Sequence, residues 1–528
     1  METTIFGPPG AGKTTKLLEI VDEALNDGVP PQRIGFFSFS KAAAEEAKQR
    51  AIEKFGFEKD ALPWFRTLHS MAFQTLGLKQ GQIMGHDDYK KFEDFVGVPF
   101  SSYSTPNQNL GALLWMPKRW KEGDQYLNVI MKARCMRKPA FDVYNELPPK
   151  EAWKINRQQL DVIEDAFPKF KKLHGKHDFV DLCEQFVEQG FSPEFDLLII
   201  DEAQDLVPLQ WEMLKKVMVP RAKRVYYAGD DDQAIYEWMG VDVNQFLTAS
   251  EDKIVLDRSH RITKEALELA KTVSNRISNR QEKEFSFKHE NGEVRYHRWL
   301  KQIDLDKGKE DGEDWLILCR TNKQVKELSE KLRFDGRYFY TEGLGYSTNP
   351  DILIAANIWL KLIKPNAEIT WQELHDLCLR MNPSLHPGKE RHLLLKRVTA
   401  TDRDKTFSFG DFVRKTQLQG KIHLGTKWSD IIEISDKEWI YLEMVRRSGE
   451  RVLGRGIKPR IRLSTIHKAK GKEADNVILF TSTSKRIQEE QRRNPENEDR
   501  VFYVGLTRAR RDLHIVEEFR KGKAGYRL

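Results

Sequence analysis

The sequence Gly-Pro-Pro-Gly-Ala-Gly-Lys-Thr at residues 7–14 constrains the fold of this chain more than any other feature. A β-prone stretch at residues 3–6 precedes it, and the sequence predicts a helix over residues 13–25. Glycines in such a turn let backbone N–H groups point inward around phosphate oxygens, and the helix N-terminus adds partial positive charge. The pattern therefore predicts a phosphate-binding loop, with Lys13 on the β- and γ-phosphates and Thr14 on Mg²⁺.

Length and composition set broad limits on the rest of the molecule. A chain of 528 residues is too long for a single core, so roughly two to four domains are expected. The net charge of +7 is small for this length and permits nucleic-acid binding without predicting it. The four cysteines show no Cys-x-x-Cys spacing, which argues against zinc and iron–sulfur sites and indicates reduced thiols. No signal peptide or membrane-spanning run is predicted, so we expect a cytoplasmic protein that does not bind membranes.

Short apolar runs alternate with amphipathic stretches in two parts of the chain, which is typical of parallel sheets covered by helices. Strands are predicted at residues 33–40, 195–200, 224–228, 315–319, 477–480 and 513–516, with a helix at 41–55. We predict an α/β protein with two such sheets, each interrupted by a mainly helical insertion. The predicted limits are 1–78 and 156–258 for the first domain, 79–155 for its insertion, 259–364 and 456–528 for the second domain, and 365–455 for its insertion. The charged stretches 304–314 and 485–499 are predicted to be surface loops.

Polar residues follow two of the predicted strands in the first domain. Asp201 and Glu202 come directly after an apolar run, and Gly-Asp-Asp-Asp-Gln-Ala-Ile-Tyr-Glu-Trp-Met-Gly follows the next strand at residues 229–240. Doubly wound sheets bind ligands at the C-terminal ends of their strands. We therefore predict that Asp201 holds Mg²⁺, that Glu202 deprotonates the attacking water, and that Gln233 senses a γ-phosphate. An aromatic side chain of the second segment could stack on a nucleobase, whereas the three acids alone could form a solvated loop.

Read in order, these segments resemble the motifs of superfamily 1 DNA helicases of the UvrD/Rep type. The resemblance covers nearly the whole chain outside the two predicted insertions. It implies two RecA-like domains. The short predicted insertions suggest a compact, phage-like member of this family, and we expect a monomer. The matching segments are residues 38–46 for motif Ia, 66–69 for motif Ib, 178–182 for a signature before motif II, 201–205 for motif II, 229–240 for motif III, 258–261 for motif IV, 318–322 for an accessory motif, 463–474 for motif V and 498–510 for motif VI.

The resemblance implies a role for each matching residue, with ATP and Mg²⁺ as cofactors. Catalysis is assigned to Lys13, Glu202, Gln233, Arg261 and Arg508, and both arginines are expected to come from the second sheet. Nucleotide contacts are assigned to Gly7, Gly10, Gly12, Lys13, Thr14, Thr15, His260 and Glu473, and metal contacts to Thr14 and Asp201. A track for single-stranded DNA is assigned to Phe39, Thr67, His69, Tyr236, Trp238, Arg320, Asn322, Thr465 and His467.

The implied activity is ATP-dependent 3′→5′ translocation on single-stranded DNA, with unwinding at junctions between single and double strands. ATP would be hydrolysed between the two RecA-like domains, in the cytoplasm of a bacterium or of a phage-infected host. Replication or repair proteins are the implied protein partners. The chain departs from the family pattern at His260, where motif IV usually has Tyr, and at Met239, where motif III often has Arg. It also shows no Gln-containing adenine motif before Gly7.

Other interpretations stay open on the sequence alone. A DNA-stimulated ATPase that displaces proteins without separating strands would carry the same motifs. A P-loop phosphotransferase would explain residues 7–14, but not the segments around Arg261, His467 and Arg508. An interaction-only protein would require a broken active site, whereas every predicted catalytic position is filled. Individually, Phe39 and Tyr236 could be core aromatics, His69 and His467 could be structural histidines, and Arg508 could be a surface arginine.

Overall fold

A computed structural model describes residues 1–58, 60–101, 121–148, 152, 154–288, 291–385, 404–448, 459–517 and 525–528. These residues form two compact units: Met1–Asn291 with Glu490–Thr507 (unit 1), and Gly292–Glu489 with Arg508–Leu528 (unit 2).

The α-helices of the described residues are, in chain order, α1 (Lys13–Asn26), α2 (Lys41–Phe55), α3 (Leu68–Thr75), α4 (His86–Val96), α5 (Glu122–Met136), α6 (Ala140–Asn145), α7 (Arg157–His174), α8 (Phe179–Gln189), α9 (Pro208–Glu212), α10 (Val243–Leu247), α11 (Lys264–Ser274), α12 (Asn322–Phe334), α13 (Pro350–Leu362), α14 (Trp371–Arg380), α15 (Phe409–Thr416), α16 (Trp428–Ile431), α17 (Asp436–Arg447), α18 (Lys485–Arg493) and α19 (Pro495–Leu506).

Unit 1 is built on a parallel sheet of the order β3-β2-β4-β5-β1-β6. Apolar side chains of the central strands and of α1 form its core, among them Ile5, Leu17, Val21 and Ile199. Burying each such side chain stabilises the fold by about 1.5–3 kcal/mol. The strands are β1 (Glu2–Phe6), β2 (Ile34–Ser38), β3 (Phe65–Arg66), β4 (Phe195–Asp201), β5 (Ala222–Gly229) and β6 (Asp252–Val255). Because these strands are parallel, the residues that follow β1, β4 and β5 meet at one edge of the sheet.

Unit 2 is built on a second sheet of the order β10-β9-β13-β8-β14-β15-β7, in which only the β9–β10 pair is antiparallel. Its strands are β7 (Val294–His297), β8 (Trp315–Cys319), β9 (Phe339–Thr341), β10 (Gly345–Tyr346), β13 (Ile461–Thr465), β14 (Ala474–Phe480) and β15 (Ala509–Val516). A separate antiparallel pair consists of β11 (Glu368–Thr370) and β12 (Thr406–Ser408). The predicted α/β class with two parallel sheets is therefore confirmed.

The predicted strand at residues 33–40 and the predicted loop at residues 485–499 both differ from the structure. Strand β2 ends at Ser38 rather than at residue 40, because the Ser40 side chain already caps α2 by accepting a hydrogen bond from the Ala43 N–H at 3.1 Å. The prediction of a surface loop at residues 485–499 is wrong, since α18 and the start of α19 occupy this stretch. Asn494 caps α19 and Pro495 takes its first position, which favours a helix start over a loop.

Both predicted insertions contain helices among their described residues. The stretch 79–155 holds α4, α5 and α6, and the stretch 365–455 holds α14 to α17 together with β11 and β12. Residues 102–120, 386–403 and 449–458 lie outside the described residues, and the limit predicted at 455/456 falls among them. The division into four domains stays a prediction. Within the described ranges, no helix combines the length and apolar character that a bilayer crossing needs.

A pair of histidines lies on neighbouring strands of the second sheet. His297 Nε2 and His514 Nδ1 share a hydrogen bond at 3.0 Å, and the His514 ring also packs against Trp315. Burial, with a smaller contribution from His297, lowers the pKa of His514 to about 4, although the charge of Asp512 opposes the shift. The imidazole of His514 is therefore neutral in the folded protein at pH values where an unfolded chain already binds a proton.

Acidification should destabilise unit 2 through His514. An unfolded histidine binds its proton near pH 6.5, whereas folded His514 binds one only near pH 4, so stability is present above 6.5 and is lost as the pH falls from 6.5 towards 4. Besides His297 and Asp512, the charges of Arg295 and Lys307 act on this ring. We expect a loss of about 2 kcal/mol between pH 7 and pH 5.

Denaturant unfolding of His514→Phe at both pH values measures this loss, because the variant has no imidazole to protonate. It should lose most of the pH dependence of the wild type. The exposed His86 supplies the control, since His86→Gln should keep that dependence. An unchanged pH dependence in His514→Phe would contradict the assignment.

Candidate functional site

The loop between β1 and α1 has the backbone geometry of an anion cradle. Gly10 and Gly12 have φ values of +72° and +74°, which L-residues with a side chain rarely adopt. The Ala11 N–H donates to the Pro8 carbonyl at 3.1 Å and closes the turn. Lys13 folds back over this loop, and its Nζ donates to the Gly7 carbonyl at 2.9 Å. The loop therefore combines a helix N-terminus with an ammonium group held over the turn.

The segment 258–261 is fastened to the same loop within unit 1. Ser259 Oγ donates to the Pro9 carbonyl at 2.7 Å, and the His260 N–H donates to the Gly10 carbonyl at 2.8 Å. Arg261 follows directly and packs its Cβ against Gly10. The expectation that Arg261 comes from the second sheet is therefore wrong, because it lies in unit 1 beside the loop. The strand order places it there: β6 pairs with β1, so the chain leaving β6 returns to the loop that leaves β1.

Gly10→Ala should impair nucleotide binding while leaving the protein folded. A Cβ atom at Gly10 would lie 2.4 Å from Arg261 Cβ, and its backbone conformation is also unfavourable for alanine. We expect ATP affinity to fall about tenfold or more, as measured by titration with a fluorescent ATP analogue. The matched control is Gly28→Ala, since Gly28 also has a positive φ but nothing within 4 Å of its Cβ position. If both variants bind ATP like the wild type, the loop is not the nucleotide site.

Asp201 and Glu202 lie at the end of β4, at the edge of the sheet where β1 reaches the loop. Asp201 is buried, and its Oδ1 accepts a hydrogen bond from the Glu202 N–H at 2.9 Å. Burial, together with the negative charge of Glu202, raises the pKa of Asp201 to about 7, although Lys13 opposes the shift. Glu202 has φ +55°, a left-handed conformation that costs a residue with a side chain about 1–2 kcal/mol. Strained backbone and a perturbed carboxyl group together are typical of functional sites.

A chain of hydrogen bonds connects Glu202 to Gln233. Gln204 Nε2 donates to Glu202 Oε2 at 2.6 Å, and Gln204 Oε1 accepts from the Asp230 N–H at 3.0 Å. Asp230 Oδ2 in turn accepts from Gln233 Nε2 at 2.8 Å. Gly229 makes room for this arrangement, because a Cβ atom there would lie 2.1 Å from Gln204 Oε1. The structure thus brings two predicted catalytic residues together through Gln204 and Asp230, to which the sequence analysis gave no role.

The acidic run at residues 230–232 is not a solvated loop. All three carboxylates are buried, and the ammonium group of Lys283 lies among them. Arg280 also donates to both oxygens of Asp232, at 2.8 and 2.6 Å. Sequence reasoning missed both cations, because they lie some fifty residues away in a stretch without a recognisable motif.

Three of the predicted DNA-contacting aromatics in unit 1 lie together. The rings of Phe39 and Tyr236 stack with centroids 5.6 Å apart, and the Trp238 ring lies 6.5 Å from that of Tyr236. Phe39 and Tyr236 are buried, whereas Trp238 is partly exposed. The group therefore consists of two buried, stacked rings with one partly exposed ring, that of Trp238, beside them.

The other two predicted DNA residues of unit 1 lie at the start of α3. The Thr67 side chain caps this helix by accepting a hydrogen bond from the Ser70 N–H at 3.2 Å. His69 is buried and packs edge-on against the Phe179 ring. Burial lowers the pKa of His69 to about 4, so its imidazole is neutral at physiological pH. These placements describe structural contacts, and DNA binding by either residue stays a prediction.

The signature before motif II forms an ion network between helices. Asp178 caps α8 by accepting hydrogen bonds from the Val180 and Asp181 N–H groups. Arg134 of α5 and Lys171 of α7 both pair with Asp178 and Asp181. The signature residues therefore join three helices of unit 1.

In unit 2, the predicted DNA residues lie at the C-terminal edge of the second sheet. Strands β8 and β13 are parallel neighbours, so Arg320 and Asn322 after β8 come close to Thr465 and His467 at the end of β13. The Ile466 N–H donates to the Cys319 carbonyl at 3.0 Å and ties the two strand ends together. Burial and the positive charges of Arg320 and Lys470 lower the pKa of His467 to about 3.

Glu473 and Arg508 lie directly before β14 and β15 of unit 2. The Glu473 carboxylate pairs with Arg510 at 3.3 Å, and its carbonyl accepts from Arg462 at 2.7 Å. Arg508 is almost fully buried, and its guanidinium donates to the Lys472 carbonyl at 3.4 Å. Arg508 is thus a buried arginine rather than a surface one. Its catalytic role stays a prediction.

Comparison with protein families gives two matches along the chain. The UvrD/REP helicase N-terminal domain matches residues 1–254, which contain the loop, Asp201, Glu202 and Gln233. The UvrD-like helicase C-terminal domain matches residues 442–518, and together the two matches span more than half of the chain. The chain belongs to the UvrD-like family of superfamily 1 helicases.

Three of the curated relatives share about a quarter of the aligned residues with this chain. ATP-dependent DNA helicase PcrA of Staphylococcus aureus strain Mu50 is 24% identical over 62% of this chain and 47% of its own length. PcrA of Bacillus subtilis strain 168 is 26% identical over 61% of this chain and 46% of its own length. PcrA of Staphylococcus epidermidis is 22% identical over 85% of this chain and 64% of its own length. The chain therefore spans about half to two thirds of the length of these relatives.

The residues of this UvrD-like site fit a nucleotide with Mg²⁺. Mg²⁺ prefers oxygen ligands, and Asp201 offers a buried carboxylate whose raised pKa indicates a place where added positive charge is favourable. Thr14 and Thr15 bring hydroxyl groups to the first turn of α1, next to the cradle formed by Gly10 and Gly12. The donor set and the open turn therefore suit a phosphate–metal complex.

Proposed function

We propose that this chain is an ATP-dependent motor that moves 3′→5′ along single-stranded DNA and separates duplex strands at a junction. The observation that carries the proposal is the hydrogen-bond chain from Glu202 through Gln204 and Asp230 to Gln233, beside the loop that holds Lys13. This arrangement couples a carboxylate base to an amide that can contact a phosphate. A plain phosphate-binding loop needs no such coupling.

In the proposed reaction each residue has a separate task. Lys13 and the loop N–H groups bind the β- and γ-phosphates. Thr14 and Asp201 would hold Mg²⁺, which would supply positive charge against the phosphates when bound. Glu202 accepts a proton from the attacking water, and the Gln233 amide contacts the γ-phosphate. Arg261 lies beside Gly10 and stabilises the charge that develops on the transferred group. Arg508 is assigned to the same task by its position in motif VI.

The proposed DNA track uses aromatic and polar residues at the sheet edges. Trp238 presents an accessible ring on the packed pair of Phe39 and Tyr236, and bases stack on such rings without regard to sequence. In unit 2, Arg320 supplies charge for the phosphate backbone, and Asn322 and Thr465 supply polar groups. Single-stranded DNA and its junctions with duplex are the partners that this combination suits.

Strand-displacement assays with 3′-tailed, 5′-tailed and blunt duplexes test the proposal. We expect ATP-dependent separation of the 3′-tailed substrate only. Separation from 5′ tails alone would contradict the proposed direction.

A second assay distinguishes the alternative activities. Streptavidin bound at one end of a biotinylated single strand reports movement without strand separation. ATP-dependent release of streptavidin without unwinding would indicate a translocase that displaces proteins. ATP hydrolysis that no nucleic acid accelerates would instead favour a phosphotransferase.

A further inference from the structure

Lys283 is a charged residue with no exposed side-chain surface. Its Nζ lies 3.1 Å from Asp230 Oδ1 and 3.0 Å from Asp232 Oδ2, and it also contacts Asp231. A buried ammonium group is costly unless several acceptors surround it, and here three carboxylates do.

Asp230 joins this cluster to the proposed site. One of its carboxylate oxygens contacts Lys283, and the other accepts the hydrogen bond from Gln233 Nε2. Its backbone N–H donates to Gln204, which in turn donates to Glu202. A continuous path of polar contacts therefore runs from Lys283 to Glu202, the proposed base, and to the side-chain amide of Gln233.

The neighbouring positive charges keep the Asp230 side chain ionised, which is the form that this path of contacts requires. Burial alone would raise the pKa of Asp230, but the positive charges of Lys283 and then Lys13 lower it below its usual value. An ionised carboxylate only accepts hydrogen bonds, so the Gln233 side chain must turn its N–H₂ group towards Asp230. Its carbonyl oxygen then points the other way, and the orientation of the amide is fixed.

The outer members of the cluster are held by other groups. Asp232 pairs with Arg280, and the Asp231 carbonyl accepts from Arg500 Nε at 3.1 Å. Asp231 also accepts from the Gln281 N–H at 2.8 Å. Asp230 is thus the member through which Lys283 reaches Gln233.

We propose that Lys283 is a positioning residue for nucleotide hydrolysis, which fixes Asp230 and thereby the amide of Gln233 and the Gln204–Glu202 pair. This inference rests on the proposed function, because it assigns Glu202 and Gln233 to the reaction. The rival explanation is a purely structural cluster that fastens residues 280–283 to the segment after β5. The two explanations differ in what they predict for turnover by folded protein.

Lys283→Met removes the ammonium group and keeps most of the side-chain volume. Turnover is normalised to the concentration of molecules that bind a fluorescent ATP analogue. We expect kcat to fall about 10- to 100-fold, with KM for ATP changed less than about threefold. Lys283→Arg should recover part of the loss, because a guanidinium can still pair with Asp230.

The matched control is Lys171→Met, which removes another buried lysine that pairs with two aspartates in the same unit. It should lower the melting temperature and leave the normalised kcat unchanged. If Lys283→Met behaves in the same way, the cluster is structural and the inference is wrong.

A double-mutant cycle with Gln233→Ala tests the path itself. Because part of the Lys283 effect passes through Gln233, Lys283→Met should lower kcat by a clearly smaller factor in the Gln233→Ala background than in the wild type. Independent, multiplicative losses would overturn the inference. If Lys283→Met does not fold, Asp230→Asn takes its place in the cycle. In Asp230→Asn, the new side-chain N–H₂ group would turn away from Lys283 and towards Gln233. The Gln233 amide must then flip, so that its oxygen accepts the hydrogen bond.

The outcome for Lys13→Ala separates the inference from the function on which it rests. Loss of turnover in Lys13→Ala with normal kcat in folded Lys283→Met contradicts the inference alone. Normal turnover in Lys13→Ala contradicts the proposed function as well.

Discussion

Replacing Lys13 with alanine should reduce DNA-stimulated ATP hydrolysis by about 100- to 1,000-fold. The Lys13 ammonium lies over the loop and donates to the Gly7 carbonyl. In the proposed reaction it binds the β- and γ-phosphates. Its loss removes a positive charge where negative charge develops in the transition state. Steady-state release of phosphate at saturating single-stranded DNA measures the effect.

Lys16 provides the control for this substitution. It lies one turn further along α1, is partly exposed and pairs with Glu19 at 3.4 Å. Lys16→Ala should hydrolyse ATP at the wild-type rate. Wild-type turnover by Lys13→Ala would remove the loop from the reaction.

Glu202→Gln should abolish turnover while ATP binding is retained. Glutamine has the shape of glutamate, and its side-chain oxygen can still accept the hydrogen bond from Gln204 Nε2. It cannot accept a proton from water, so kcat should fall about 100- to 10,000-fold. Binding of a fluorescent ATP analogue should stay within about threefold of the wild type, because the loop is unchanged.

Glu194→Gln tests whether the loss is specific to this carboxylate. Glu194 lies outside the site and pairs with Arg33 at 3.1 Å. Its substitution should leave both binding and turnover unchanged. Full turnover by Glu202→Gln would show that another group accepts the proton.

The parts of the fold that local chemistry determines could be predicted from the sequence. The glycine-rich loop between an apolar strand and a helix could be recognised because its residues are consecutive. The helix predicted at 41–55 coincides with α2, where alanine, glutamate and lysine favour a helix and Ser40 caps it. Charge alone did not distinguish a helix from a loop at residues 485–499, because both can be solvated.

The parts that depend on long-range packing could not be predicted. Lys283 reaches the acidic run across 52 residues, and the sequence around it contains no motif that indicates burial. The position of Arg261 beside Gly10 depends on the pairing of β6 with β1, which local sequence does not specify. Sequence reasoning thus identified the residues after β4 and β5, but not the contacts that connect them.

The dependence of ATP hydrolysis on nucleic acid tests the central claim most directly. The rate is measured without nucleic acid and with saturating single-stranded DNA, blunt duplex DNA or RNA, using the wild-type chain. Because DNA that binds a motor favours its hydrolysis-competent state, single-stranded DNA should raise the rate about tenfold or more, with a smaller effect of blunt duplex. A rate that none of the nucleic acids changes would contradict the account.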